Sequence, residues 1–382
     1  MAKKILFLMS DTGGGHRAAA EAIRDAMYQQ HGEEEVSVAI VDVFRQCIFP
    51  LKYTPEFYAW IVKRSKTIWG LGYSITTHGP TPKFFAANMY LINRRQLRKV
   101  VRENPADVVV NVHSLLTRPM MSAFLSYPER PPFVSVVTDL VTTPLFWYDK
   151  RSEKCFVPTQ AAFDRGIKYE MRPEQMAITG MPVHPKFSKI TADKEEARRQ
   201  LGWDDDIPVV LMVSGGDGAS RLDKMAKYID ESNLDCRLAI IAGKNETLKA
   251  NLESIDWNRR PHVYGFVKDM PLKMTAADIL ITKAGPATIC ESCITGLPII
   301  ISDFIPGQEY GNVNYVTEND VGVYAPSYDQ IVETLRNWLA DKPGLQKRSE
   351  NARKLGRPDA VQEIAAGIWE QAQRPPIKND IN

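Results

Sequence analysis

Short apolar runs alternate with segments of helical period along this chain, and the rhythm runs twice. In the first half, KILFLM is followed by an amphipathic stretch from His16 to Gln30, then by VSVAIVDV, ADVVVNV and PFVSVVTD. The pattern restarts after residue 207 with IPVVLMVSGG, RLAIIAG, HVYGFV, ADILITKAG, LPIIISD and VGVYA, each followed by a helical pattern or a Gly/Pro turn. Strands in alternation with helices predict a parallel sheet wound on both faces. The first helix places Ala18, Ala19, Ala22, Ile23, Ala26 and Met27 on one stripe, with Glu21, Arg24 and Asp25 opposite, the pattern of a helix docked on a sheet. The expected fold class is α/β, with two doubly wound domains in tandem.

Length supports two domains, because 382 residues exceed what one core usually fills. Between the halves, GMPVHPKFSKITADKEEARRQ has two prolines, no strand pattern and a charged helix start, as a linker would. We expect a Rossmann-like domain over 1–185, a second over 186–343, and a tail over 344–382. In that tail Ala352, Leu355, Val361, Ile364, Ala365, Ile368 and Trp369 form a helical pattern expected to pack back towards the first domain, and the last eight residues are expected to fray. Lys plus Arg number 48 and Asp plus Glu 46, so a globally basic nucleic-acid binder and an acidic disordered chain are both disfavoured. Five cysteines form no disulfide framework and suit a reducing compartment. No uncharged apolar run approaches the roughly 18–20 residues that cross a bilayer, so a soluble or peripheral protein is expected.

The most informative stretch is strand, SDTGGGHR, helix. Three glycines, Gly13, Gly14 and Gly15, let backbone amides approach a ligand that a Cβ would exclude, and the helix start favours negative charge. Gly13, Gly15 and Ala18 also satisfy a loose dinucleotide fingerprint, with Asp42 ending the second strand where a ribose-binding acid would stand. No Lys-Ser/Thr pair follows, so this is not a nucleotide P-loop. His16 sits at the carboxyl end of the first strand, where open α/β sheets bind ligands, and an imidazole there can accept a proton from a hydroxyl near neutral pH. Its bland alternative is a helix-capping or phosphate-binding histidine. Arg17, His113 after VVVNV and Asp139 after FVSVVT are further candidates around this loop.

In the second half a strand feeds KAGP and then a helix with Pro286 in its first turn, leaving amides to meet a phosphate. Lys283 can add charge there, alongside Ala284, Gly285 and Thr288, and Glu291 lies within reach of ribose hydroxyls or, equally, on a solvated face. The turn holding Gly215 and Gly216 is another phosphate loop. The backbone of Gly265, Phe266 and Val267 can pair with a base edge, and Gln308, Glu309 and Asn312 can serve sugar hydroxyls or cap a helix. Cys290 and Cys293 lie on one apolar helix stripe without a second ligand pair and read as core. The remaining histidines are scattered, so no metal site is expected.

Residues 50–100 carry nine Lys/Arg against one acid, Glu56, within a chain of net charge +2. They also carry many aromatics. Tyr53, Trp60, Lys63, Arg64, Trp69, Phe84, Phe85, Arg94 and Arg95 make the mixture that sits in an anionic lipid interface. The same mixture can stack single strands or form an ordinary core with a solvated basic face.

Together SDTGGGHRAAAEAI, FVSVVTDL, TGMPVHPKF, SGGDG, ITKAGPATICES and PGQEYGNVNYV resemble the monogalactosyldiacylglycerol synthases and related diacylglycerol glucosyltransferases of glycosyltransferase family 28, over about residues 4–325. The resemblance implies a GT-B fold, two Rossmann-like domains facing across a cleft, with acceptor and membrane contact in the first and sugar nucleotide in the second. It assigns His16 as catalytic base, Gly265 to Val267 to uracil, Glu291 to ribose, the KAGPAT turn to diphosphate, and Gln308 with Glu309 to the hexose. NVHSLLTRPM follows the family pattern only loosely, and Cys290 and Cys293 stand where small residues are more usual. The implied activity is inverting transfer of a hexose, galactose before glucose, from a UDP-sugar to 1,2-diacylglycerol, without metal or other cofactor. The implied partners are the UDP-hexose donor, diacylglycerol and anionic membrane lipids, with no nucleic acid. The implied location is peripheral, on the cytoplasmic face of the cell membrane. No transit peptide precedes the first strand, which points to a bacterial enzyme. The alternatives are a UDP-N-acetylglucosamine transferase acting on a polyprenyl acceptor, an NAD(P)-linked oxidoreductase built on the glycine fingerprint, and a non-catalytic lipid-binding protein.

Overall fold

The structure is a computed structural model that describes residues 2–65, 70, 73, 81–203, 206–213 and 222–379; the side chains of 59, 61–63, 81 and 82 lie outside the description. The chain divides into two compact units. The first comprises Met1–Pro185, Pro306–Gln308 and Asp359–Asn382, and the second Lys186–Ile305 and Glu309–Pro358.

Six parallel strands form the sheet of the first unit: β1 (Lys3–Met9), β2 (Val36–Asp42), β3 (Val108–Asn111), β4 (Phe133–Val136), β5 (Lys154–Val157) and β6 (Met176–Ile178), in the order β2-β1-β3-β4-β5-β6. Six more form the second: β7 (Val209–Val213), β8 (Arg237–Ile241), β9 (His262–Tyr264), β10 (Ile279–Lys283), β11 (Ile299–Asp303) and β12 (Gly322–Tyr324), in the order β9-β8-β7-β10-β11-β12. The helices used below are α1 (Gly15–His31), α2 (Thr54–Arg64), α3 (Thr81–Glu103), α4 (Pro286–Thr295), α5 (Tyr310–Glu318), α6 (Lys342–Leu355) and α7 (Ala360–Ala372). The α/β class with two Rossmann-like sheets is therefore as the sequence predicts. Strand order reverses between β1 and β3 in one sheet and between β7 and β10 in the other. Ligands of open α/β sheets bind at the carboxyl ends of such strand pairs.

The period-two alternation of β1 builds both faces of the first sheet. Ile5, Phe7 and Met9 point to one core with Ala22 and Ile23 of α1 and Ile364 and Ile368 of α7. Leu6 and Leu8 point to the other, with Met89 and Leu97 of α3 and with Met120 and Phe124. The buried stripe of α1 is Ala19, Ala20, Ala22, Ile23, Ala26 and Met27; Ala18 is exposed because the helix begins at Gly15 and turns that position outward. β5 and β6 have no counterpart among the expected runs.

The tail also differs from expectation. α6, with Ala352 and Leu355, packs on α4 and belongs to the second unit, so the tail joins the first only from Asp359. The residues beyond α7 do not fray where they are described: Ile377–Lys378 pairs antiparallel with Glu129–Arg130, and Asn379 N donates to Pro128 O at 2.9 Å. Contact of α7 with the sheet is close enough that a Cβ on Gly367 would overlap Phe156 Cζ, and Phe156 is buried. Gly367→Val should therefore destabilise the protein by about 1–3 kcal/mol, read as a lower midpoint in urea melts; an unchanged midpoint would show that α7 is not seated as described.

Candidate active site

In the first unit the chemistry gathers where β1 and β3 end. Gly13 and Gly14 both adopt positive φ, +80° and +76°, and Gly14 caps α1 in the left-handed conformation, a turn that other residues rarely adopt. This turn delivers His16 one residue into the helix. His16 Nδ1 lies 2.8 Å from the carbonyl oxygen of Val112 and 3.1 Å from Thr138 Oγ1. A carbonyl only accepts, so Nδ1 carries the proton and donates it. The neutral ring is then left with its lone pair on Nε2. Burial pushes the His16 pKa down to about 4, against the Val112 bond, which acts in the opposite direction. The imidazole is thus a neutral acceptor across the physiological range.

The neighbouring candidates are placed as follows. The His113 ring lies 4.3 Å from that of His16, with Nε2 2.9 Å from Thr12 Oγ1, and burial holds its pKa well below the usual histidine value. Arg17 is committed to Asp11 by two bonds of 2.7 and 2.8 Å, which leaves less of its guanidinium for a ligand. Asp139 is buried, and burial raises its pKa to about 6 although Trp147 Nε1 donates to its Oδ2 at 2.7 Å. Asp42 accepts from the amides of Asp11 and Arg45, at 3.1 and 3.2 Å, so its carboxylate serves as a cap. Val112, Thr138 and Trp147 were not singled out by sequence. Val112 acts through its backbone, which carries no residue signature.

In the second unit the β10 end forms the corresponding turn. Ala284 N donates to Asp303 O at 2.8 Å and Gly285 N to Lys283 O at 2.7 Å, fixing the turn that opens α4. Gly285 is the N-cap and Pro286 lies in the first turn, so the amides of Ala287 and Thr288 stand outside the intrahelical ladder. From α5, Asn312 Nδ2 donates to Ala284 O at 2.9 Å, while its Oδ1 is buried with no partner. Glu309 is also buried, with Oε2 accepting from Ile305 N at 2.8 Å, so one of its oxygens shapes its own loop. Gln308, which belongs to the first unit, donates Nε2 to Asp139 Oδ1 at 3.4 Å and has its Oε1 buried without a partner. Phe266 is exposed after β9, with Lys244 Nζ 5.5 Å from its ring centroid. Burial raises the Glu291 carboxyl to about 7. Cys293 is buried and Cys290 half-buried. Gly215, Gly216 and Trp69 lie outside the described residues, as does the side chain of Lys63. Among the described residues there is no group of three His, Cys, Asp or Glu side chains arranged to hold a metal.

Part of the basic aromatic segment is exposed rather than core, while Tyr58, Tyr73 and Tyr90 are half-buried. Tyr53, Phe57, Trp60, Phe84 and Phe85 are all exposed, and so are Arg64, Arg94 and Arg95. Arg64 lies over the Trp60 ring at 5.9 Å. Along α3 the buried face runs through Ala86, Met89, Asn93, Leu97 and Val100, while Phe84 (74% exposed), Leu91 (60%) and Ile92 (61%) form a second apolar stripe facing away from it. Leu91, Ile92 and Phe49 were missed, although 84, 88, 91, 92 and 95 have helical spacing. Among the described residues no helix is long and apolar enough to cross a membrane.

Solved structures share this fold at low identity. MurG of Acinetobacter baumannii aligns over 96% of this chain and 99% of its own with a TM-score of 0.60 at 13% identity, and Anabaena Alr3699/HepE in complex with UDP-glucose over 96% and 99% with 0.55 at 14%. A family model described as glycosyl transferases group 1 matches residues 193–355. Fold and match define a glycosyltransferase of the GT-B class. A second model, monogalactosyldiacylglycerol (MGDG) synthase, matches residues 16–183. The probable monogalactosyldiacylglycerol synthase of Glycine max is 37% identical over 384 residues, 96% of this chain and 71% of that one; the enzymes of Spinacia oleracea (37%, 96% and 72%) and Arabidopsis thaliana (synthase 1; 36%, 97% and 72%) are similarly related. The chain belongs to the monogalactosyldiacylglycerol synthase family, and is an enzyme of the galactolipid-making glycosyltransferase type.

The sign of the Glu291 shift yields a test of the second unit. Its folded pKa, near 7, stands above the unfolded value of about 4.5, so the folded state holds the proton longer. Stability falls as pH rises from about 4.5 to 7, and the penalty persists above. Glu291→Gln should therefore raise the urea midpoint at pH 8 and lose that advantage at pH 4. An equal effect at both pH values would mean that the carboxyl is not held protonated by burial.

Proposed function

We propose that this enzyme transfers galactose from UDP-galactose to the hydroxyl of 1,2-diacylglycerol with inversion, giving a β-galactosyl-diacylglycerol and UDP. The observation that carries the reading is the His16–Val112 bond, which leaves Nε2 of a neutral imidazole as proton acceptor at the strand-order reversal of the first sheet. His16 Nε2 takes the hydroxyl proton as that oxygen attacks C1 of the hexose, and the bond from C1 to the diphosphate oxygen breaks with its electron pair passing to UDP. The departing diphosphate is stabilised by the Ala287 and Thr288 amides at the positive end of α4, with Lys283 beside them. These groups supply the positive charge, so the reading requires no metal or other cofactor. Gly265 to Val267 serve the uracil and Glu291 the ribose. The bare amide oxygens of Gln308 and Asn312 are suited to accept from sugar hydroxyls, because a buried acceptor without a partner is costly until a donor arrives.

The acceptor dictates where the enzyme works. Diacylglycerol resides in bilayers, and the apolar stripe of α3 with the aromatics of α2 and their flanking Arg64, Arg94 and Arg95 suits an anionic interface. We place the enzyme as a peripheral protein on the cytoplasmic face of such a membrane, with anionic lipids as partners and no nucleic acid.

Transfer of labelled hexose from UDP-galactose, and separately UDP-glucose, to diacylglycerol in anionic micelles tests the reaction. We expect galactolipid from the first donor, and a loss of about a hundredfold or more in turnover for His16→Ala with donor KM nearly unchanged. Product from UDP-glucose alone would change the assigned donor, and none from either would overturn the acceptor. A collapse of donor affinity in His16→Ala would make the histidine a phosphate ligand instead. Each apolar side chain entering the interface is worth about 1.5–3 kcal/mol, so Phe84→Glu with Leu91→Glu should weaken binding to phosphatidylglycerol vesicles at least about tenfold. Unchanged binding would remove α3 from the interface.

A further inference from the structure

His113 has no part in the chemistry just described, yet it is tied closely to the base. β3 ends at Asn111, and the next two residues divide their contacts with His16. Val112 accepts from Nδ1 through its carbonyl, and His113 lays its ring against the imidazole at 4.3 Å between centroids, tilted by 44°. The remaining contacts of His113 fix it from three sides. Its Nε2 meets Thr12 Oγ1 in the glycine loop at 2.9 Å, Phe44 packs edge-on at 5.4 Å, and its carbonyl accepts from Asn111 Nδ2 at 3.1 Å. Its Nδ1 is buried with no partner.

This is a costly residue to keep in a core. The ring is only 4% exposed, and a buried polar atom without a partner costs stability that a leucine or phenylalanine of similar bulk would not. A bare lone pair costs less than a bare N–H, so the proton belongs on Nε2, which donates to Thr12. His113 then ties the exit of β3 to the loop that carries His16.

We propose that His113 is a positioning residue for His16, holding the plane of its imidazole and the attached glycine loop through the contact with its ring and the bond to Thr12. The inference rests on the reading of His16 as the base. The bond to Val112 determines which nitrogen carries the proton, but one bond leaves the ring able to swing about that contact. The His113 face and Thr138 Oγ1 remove that freedom. Proton transfer is steeply sensitive to such placement, a misplacement of about 1 Å costing as much as a hundredfold.

The test compares His113→Gln, whose Nε2 can still reach Thr12, with His113→Leu, Thr12→Val and the Leu/Val double variant. One readout is kcat against donor KM in hexose transfer. The other is the imidazole nitrogen spectrum of protein labelled with 15N-histidine, which reports how firmly the His16 ring is held whatever the acceptor proves to be. We expect His113→Leu to lose about ten- to a hundredfold in kcat with donor KM within about twofold, and His113→Gln to recover most of the loss. Thr12→Val should lose a comparable amount, and the double variant no more than the worse single one. The His16 signals should keep the Nδ1–H pattern that Val112 sets but move and broaden in His113→Leu and in the double variant, as for a ring free to swing about that bond. Full kcat in His113→Leu, an equal loss in His113→Gln, additive losses in the double variant, or an unchanged His16 spectrum would each overturn the proposal. Should His113→Leu fail to fold, Thr12→Val and His113→Gln decide the matter. Absence of hexose transfer by the unaltered enzyme would count against the acceptor reading, while the nitrogen spectra would still answer for His113.

Discussion

The bond from His16 Nδ1 to the Val112 carbonyl couples the sheet of the first unit to its chemistry. A carbonyl on the exit of a buried strand cannot move without disturbing the ladder behind it, and it cannot change its role from acceptor to donor. Everything else about the histidine follows from that partner. The choice of backbone rather than a carboxylate leaves the ring without a neighbouring negative charge to stabilise imidazolium, so burial prevails and the imidazole stays neutral. Tolerance of positive φ at Gly13 and Gly14 is what lets α1 start close enough for the bond to form.

Titration behaviour is displaced at both sheet ends, and by the same cause. Burial lowers His16 and raises Asp139 and Glu291, so in each case the protein favours the uncharged form. The positive ends of helices act differently, because amide dipoles attract an anion without themselves carrying a desolvated charge. Such a helix start attracts negative charge through the backbone, while burial opposes the ionisation of Glu291 on the same helix.

Much of this was legible in the sequence where the signal was local. Ten of the twelve strands coincide with apolar runs bounded by turn residues, and the glycine loop announced both its turn and its histidine. β5 and β6 escaped because Lys154–Val157 and Met176–Ile178, though no shorter than β3 and β9 respectively, are flanked by polar residues and proline and extend into no longer apolar run. The partners of His16 escaped for another reason: a backbone carbonyl and a threonine more than ninety positions away leave no trace in spacing. Leu91 and Ile92 share a helical stripe with Phe84, but the buried stripe on the same helix masks it. The tail was divided wrongly because α6 and α7 have the same helical period, and only their long-range partners, α4 for one and α1 for the other, distinguish them.

The return of α7 to the first sheet has a consequence for the order in which the molecule can be made. Val361, Ile364, Ala365 and Ile368 complete the core over Ile5 and Phe7, yet they emerge from the ribosome only after the whole of the second unit. During synthesis the earliest strands therefore wait with one apolar face uncovered, while the later unit has all its own segments in hand and can fold first. The usual amino-terminal-first order of multidomain chains is inverted, and the nascent chain must be shielded for as long as it takes to translate the second unit.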